Sequence, residues 1–168
     1  MCDRLQEFQA AQELAIPEQI PAGPTHWSPP QRTQSIVNYD GALFHDTKQA
    51  GIGVVVRNSG GTIQGARSDR CCLPMTVDEV EALACRLAVH NAIQLGLEEA
   101  VFEGDSETIT KALNSASPCL SSFGHIIDDV KSLALNFVSV SFIHVKRQGN
   151  AVANKLAKAA KFSSCPRF

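Results

Sequence analysis

No apolar run in the 168-residue chain approaches the roughly 18 residues that a membrane-spanning helix requires. Residues 1 to 16 contain Asp3, Glu7 and Glu13 and no sustained apolar stretch, which argues against a secretory signal. The six cysteines, Cys2, Cys71, Cys72, Cys85, Cys119 and Cys165, have no Cys-x-x-Cys spacing, and the adjacent pair Cys71 and Cys72 is a poor zinc or disulfide signature. They are read as reduced thiols. A large excess of either charge is also missing: 15 basic against 17 acidic residues leave no generic cationic coat and no polybasic membrane anchor. These absences point to a soluble intracellular protein of the nucleus or cytoplasm, without a membrane partner and expected to be a monomer. One absence is local. After Asp129 the chain carries Lys131, Lys146, Arg147, Lys155, Lys158, Lys161 and Arg167 and no acidic residue, so any polyanion binding is expected in the C-terminal quarter. A plainer use of these side chains is to solvate the outer face of a terminal helix.

What is present suffices for one core: 44% of the residues are apolar, and the length is that of one domain plus tails. Five of the eight prolines fall between Pro17 and Pro30, so residues 17 to 34 read as linker. Before them, Leu5, Phe8, Ala11 and Ala15 have helical spacing, but a helix that short needs a docking surface to persist. From Ser35 the chain alternates in a way that predicts two layers. Ile36 to Asp40 reads as a strand ending in a carboxylate, Gly51 to Arg57 as a second, and Thr62 to Arg67 as a third, with the turn Asn58-Ser59-Gly60-Gly61 between the last two. That opening is a hairpin, and no glycine-rich phosphate loop follows the first strand, which argues against a nucleotide-binding doubly wound domain. Residues 76 to 95 form the best-defined helix, with Thr76 and Gly96 as caps. A short apolar strand runs into Glu103-Gly104-Asp105-Ser106, helices follow at Ile109 to Leu113 and Ser122 to Leu135, a fifth strand alternates from Val138 to His144, and Asn150 to Lys161 is the last helix. The predicted order is β-β-β-α-β-α-α-β-α.

Three carboxylates stand where solvated ones are not expected. Asp40 and Asp105 follow strands, and Glu81 shares a helix face with Val77, Ala84 and Ala88. Each has an ordinary use alone: Asp105 as a helix N-cap, Asp40 as a strand terminator, Glu81 as a carboxylate reaching water. Clustered, they repel unless a cation shares the site. Hard oxygen donors suit Mg2+ or Mn2+, and such a cluster can hold two ions about 4 Å apart on a phosphodiester.

These segments resemble the type 1 ribonuclease H family, and most closely its plant branch of stand-alone reverse-transcriptase-like domains. The resemblance covers residues 27 to 162 and rests on an ordered set: Trp27-Ser28-Pro29-Pro30, Asn38-Tyr39-Asp40-Gly41-Ala42, Gly51-Ile52-Gly53-Val54-Val55-Val56-Arg57, Val80-Glu81-Ala82, Glu103-Gly104-Asp105-Ser106, His144-Val145-Lys146-Arg147 and Asn150-Ala151-Val152-Ala153-Asn154-Lys155-Leu156-Ala157. It implies an α/β domain over residues 35–162, flanked by an extension (1–34) and a tail (163–168), with a mixed five-stranded sheet, strands one to three antiparallel, and helices on both sides. It also implies two-metal hydrolysis of the RNA strand of RNA–DNA hybrids, with Asp40, Glu81 and Asp105 as metal-binding catalytic acids. Lys146, Arg147, Lys155 and Lys158 would meet phosphates. Asn154 stands where the family pattern has a fourth acid, so one negative charge is missing and the amide takes a weakened fourth metal position. The stretch Lys146 to Ala153 is too short for the histidine-bearing loop of bacterial-type members, and His144, inside the strand alternation, reads as structural. The rival expectation is a nucleic-acid-binding or protein-interaction module that kept the fold and lost efficient cleavage.

Overall fold

The computed structural model describes residues 34–72, 74 and 76–163. The expected helix at residues 5–15, nearly all of the proline-rich linker, the Trp27-Ser28-Pro29-Pro30 segment and residues 164–168 lie outside the described residues. Within them the order is β1 (Ser35–Phe44), β2 (Gln49–Arg57), β3 (Ile63–Cys72), α1 (Val77–Gln94), β4 (Glu99–Gly104), α2 (Glu107–Asn114), α3 (Gly124–Ala134), β5 (Ser139–His144) and α4 (Ala151–Ala159), closed by a 3-10 turn (Ala160–Phe162). This is the order expected from the sequence. The strands form one mixed sheet, β3-β2-β1-β4-β5. Tight turns make β1, β2 and β3 antiparallel, whereas α1 lies between β3 and β4 in the chain and returns it so that β4 runs parallel to β1, as β5 does to β4. Among the described residues no helix is long and apolar enough to cross a membrane.

The two faces of the sheet receive different helices because glycines admit them. A Cβ on Gly41 would lie 2.9 Å from the γ carbons of Val80, so the first turn of α1 rests directly on β1. On the opposite face, a Cβ on Gly53 would come 2.2 Å from the carbonyl oxygen of Ala153, and one on Gly51 2.1 Å from that of Ala157. Only bare backbone lets α4 sit this close. The Ser68 hydroxyl also donates to the Leu156 carbonyl at 2.8 Å, fixing α4 along β3. The core lies between the sheet and α1, α2 and α3, where Val37, Tyr39, Val54 and Phe102 meet Ala84, Ala88, Ile109, Ile127 and Val130. The alanines of α1 keep the helix near the sheet, and Phe102 stacks on Phe142 with centroids 5.4 Å apart.

The structure departs from the sequence reading at several elements. Strand β1 does not end at Asp40 but continues to Phe44, because its hairpin ladder with β2 runs on to Phe44–Gln49. Strand β3 extends past Arg67 to Cys72; it is an edge strand, so its residues Ser68 to Arg70 carry no apolar alternation from which pairing could be read. Helix α1 has its expected caps, with the Thr76 hydroxyl accepting from the Glu79 amide and Gly96 at φ 69°, yet Val77 is 60% exposed. The buried stripe begins at Val80. The cap of α2 is Ser106, whose hydroxyl accepts from the Ile109 amide, which releases Asp105 from the capping role.

Candidate active site

The parallel ladder between β1 and β4 stops at Asn38–Glu103, two residues short of Asp40. Beyond it β1 is paired on one side only, and side chains from both faces converge on this opening. Asp40 arrives from β1, Asp105 follows the last residue of β4, and Glu81 enters from the first turns of α1, held there by the contact of Val80 with Gly41. One carboxylate oxygen from each lies within 4.8 Å of the others. Asp40 is 1% exposed and Glu81 5%, while the Asp105 side chain is 8% exposed.

Three acids this close cannot all stay ionised without compensation. Burial above all, reinforced by the charges of Asp40 and Asp105, pushes the Glu81 carboxyl up to about 9. Asp40 is raised by burial and by Asp105, against hydrogen bonds from Asn154, Glu81 and the Gly41 amide that pull it down. Without a cation, Glu81 therefore holds a proton and hydrogen-bonds Asp40, while its Oε2 meets no partner. A buried carboxyl oxygen with no donor, in a set of hard oxygen ligands, fits a divalent ion of the Mg2+ type. Cys85, one turn along α1, takes no part: burial pushes its thiol up to about 12, and it remains neutral beside the Tyr39 hydroxyl.

Two further side chains close the cluster. The Asn154 amide, carried by α4, donates to Asp40 Oδ2 at 2.5 Å, while Asp40 Oδ1 accepts from the Gly41 amide at 3.0 Å. Arg147 Nε donates to Asp105 Oδ2 at 3.1 Å. Lys146 is half-buried in the turn before α4, and Lys155 and Lys158 are exposed on α4; among the described residues no ion pair engages them. His144 is half-buried at the end of β5. Sequence reasoning assigned no role to three polar residues beneath the cluster. Asn150, 1% exposed, donates through Nδ2 to the Tyr39 carbonyl at 2.7 Å and so ties the start of α4 to β1. Asn38 donates to Glu103 at 2.8 Å, directly below Asp40 and Asp105 on the same pleat. For Asn38 and Glu103 the signal was available in the period of two, since they lie two residues before Asp40 and Asp105.

The model of the reverse transcriptase-like family matches residues 38–160. A search of proteins with curated function gives no match. Among solved structures, the chain is similar to RNase H1 from the halophilic archaeon Halobacterium salinarum NRC-1, with 25% identity, 77% of this chain and 98% of that one covered, and a TM-score of 0.71. It is similar to the N-terminal RNase H domain of rv2228c from Mycobacterium tuberculosis, with 21% identity, 76% and 93% covered, and a TM-score of 0.69. It is also similar to LC11-RNase H1, isolated from compost and solved in complex with an RNA/DNA hybrid, with 22% identity, 75% and 95% covered, and a TM-score of 0.67.

Proposed function

The chain belongs to the reverse transcriptase-like family and carries the ribonuclease H fold, and from that premise we propose that it is a metal-dependent endonuclease hydrolysing the RNA strand of RNA–DNA hybrids. The observation that carries this reading is the convergence of Asp40, Glu81 and Asp105, from three separate elements, to within 4.8 Å in a largely buried opening. A scaffold has no evident reason to retain mutually repelling acids there. The working domain in this proposal is residues 35–162, with 1–34 and 163–168 as appendages. Asp40, Glu81 and Asp105 would hold two Mg2+ or Mn2+ ions, with Asn154 beside the weakened fourth position. Such ions, when bound, activate water and stabilise the leaving oxygen of a phosphodiester. Glu81 must give up its proton to serve as a ligand, and Asn154 steadies the Asp40 carboxylate through its amide hydrogen. Lys146, Arg147, Lys155 and Lys158 would bind phosphates on either side of the scissile bond, positioning the strand, while hybrid choice would rest on helix shape and the 2′-hydroxyl.

A second reading is favoured by the same two closing contacts. Asn154 on Asp40 and Arg147 on Asp105 already engage two of the three carboxylates, as suits a nucleic-acid-binding module that has lost efficient cleavage. A hybrid labelled on its RNA strand, incubated with the full chain in Mg2+ and Mn2+ titrations, separates them. The nuclease reading expects metal-dependent cuts that Asp105→Asn abolishes. Hybrid binding without cleavage in either metal leaves the module.

A further inference from the structure

Four of the five described ion pairs join side chains that are both substantially exposed. The fifth is asymmetric: the Asp105 side chain is 8% exposed, whereas that of Arg147 is 78% exposed. The cation lies outside the acidic opening, over a carboxylate that lies within it. Its backbone is held in place. The turn that carries it is closed by the Gly149 amide on the Lys146 carbonyl at 2.8 Å and the Asn150 amide on the Arg147 carbonyl at 3.1 Å, and Asn150 is anchored in turn to β1. The side chain beyond that anchor is long and solvated, able to swing without disturbing the fold. The positive charge is also attracted, more weakly, by Asp40 and Glu81.

We propose that Arg147 is a tethered counter-cation, occupying Asp105 until a divalent ion displaces it, and so sets the metal affinity of the site. This rests on reading the cluster as a metal site. A divalent ion bound by Asp105 competes with Arg147 for the same carboxylate, so the energy of the pair is subtracted from the energy of metal binding. The contact made through Nε is directional, which an ammonium in its place would reproduce only as a point charge. Arg147 is thus a positioning residue, acting through Asp105. The pair also gives Asp105 a partner of its own, as Asp40 has in the two amide hydrogens it accepts from Gly41 and Asn154.

The test is a Mn2+ titration of the full chain, followed by loss of the free-ion electron paramagnetic resonance signal, with melting curves alongside. It compares wild type, Arg147→Ala, Arg147→Lys and Lys111→Ala, the last removing an exposed cation paired with Glu107 on α2. Arg147→Ala should bind Mn2+ about three- to tenfold more tightly than wild type, in line with the worth of a half-exposed pair. Arg147→Lys should fall between them, and Lys111→Ala should match wild type. Metal-free Arg147→Ala should melt below wild type and gain more from Mn2+. If wild type binds Mn2+ and Arg147→Ala binds it equally or more weakly, the counter-cation role is overturned while the metal site stands. If Lys111→Ala tightens binding as much as Arg147→Ala, the effect is one of overall charge and the role is again overturned. If neither wild type nor any variant binds Mn2+ at millimolar concentration, the metal site falls and the role of Arg147 with it.

Discussion

Glu81 combines 5% exposure, an oxygen without a donor and a carboxyl pushed up to about 9. The folded metal-free chain therefore binds a proton that the unfolded chain, with an ordinary carboxyl, releases near 4.5. Between those values the native state carries more protons than the unfolded one, so stability contributed by this group is full below about 4.5 and is lost as pH rises toward about 9. Melting temperature in a chelating buffer should accordingly decline from pH 5 to pH 9, and Glu81→Gln, neutral throughout, should flatten the decline. An equal slope in both proteins would place the titration elsewhere. Position 154 is the second residue with a sharp consequence. Asn154→Asp removes a donor from Asp40 and adds a charge beside it, so the metal-free variant should melt lower. With metal the sign reverses: affinity for Mg2+ and hybrid cleavage at low Mg2+ should both rise, with the gain shrinking at saturation. Initial cleavage rates across a Mg2+ series check this.

At the scale of elements, the site depends on how closely α4 approaches the sheet. Gly53 faces Asp40 in the register of β1 and β2, and the carbonyl of Ala153, next to Asn154, lies where a Cβ would be. Gly53→Ala must push α4 outward, at a cost of about 2 kcal/mol, the usual range for overpacking a tight contact. Chemical denaturation should report that loss, and hybrid cleavage should fall further than stability alone explains, because Asn154 and the basic face of α4 move together. The same helix carries Lys155 and Lys158 toward solvent. Replacing both by Ala should leave the fold intact and reduce the slope of log affinity against log salt for a hybrid by about two, one per lost phosphate contact. An unchanged slope would leave α4 with a solvated face and no more.

For the molecule as a whole, an ion bound by the native cluster and by nothing in the unfolded chain stabilises folding by mass action, about 2.7 kcal/mol at a hundredfold excess over the dissociation constant. Melts with and without millimolar Mg2+ should differ, and Asp105→Asn should erase the difference. How much of this was legible in advance follows from the range of the interactions involved. The sequence by itself determined the element order, the hairpin opening, the Thr76 and Gly96 caps and the candidate acids, because apolar periodicity, turn chemistry and capping are local and act over a few residues. It did not reveal that β1 passes through Asp40, that β3 reaches Cys72, or that Val77 faces solvent, because strand length is decided by the partner and a helix end by what it packs on. Glu81 could be put on the packed face by spacing, but its proton, its unpaired oxygen and its distance from Asp40 and Asp105 belong to the opening where β1 and β4 part. The pairing of Arg147 with Asp105, 42 residues apart, and of Asn154 with Asp40, 114 apart, could come only from tertiary structure. Charge interactions depend on distance and on exclusion of water, and neither is defined until the two faces of the sheet have been covered.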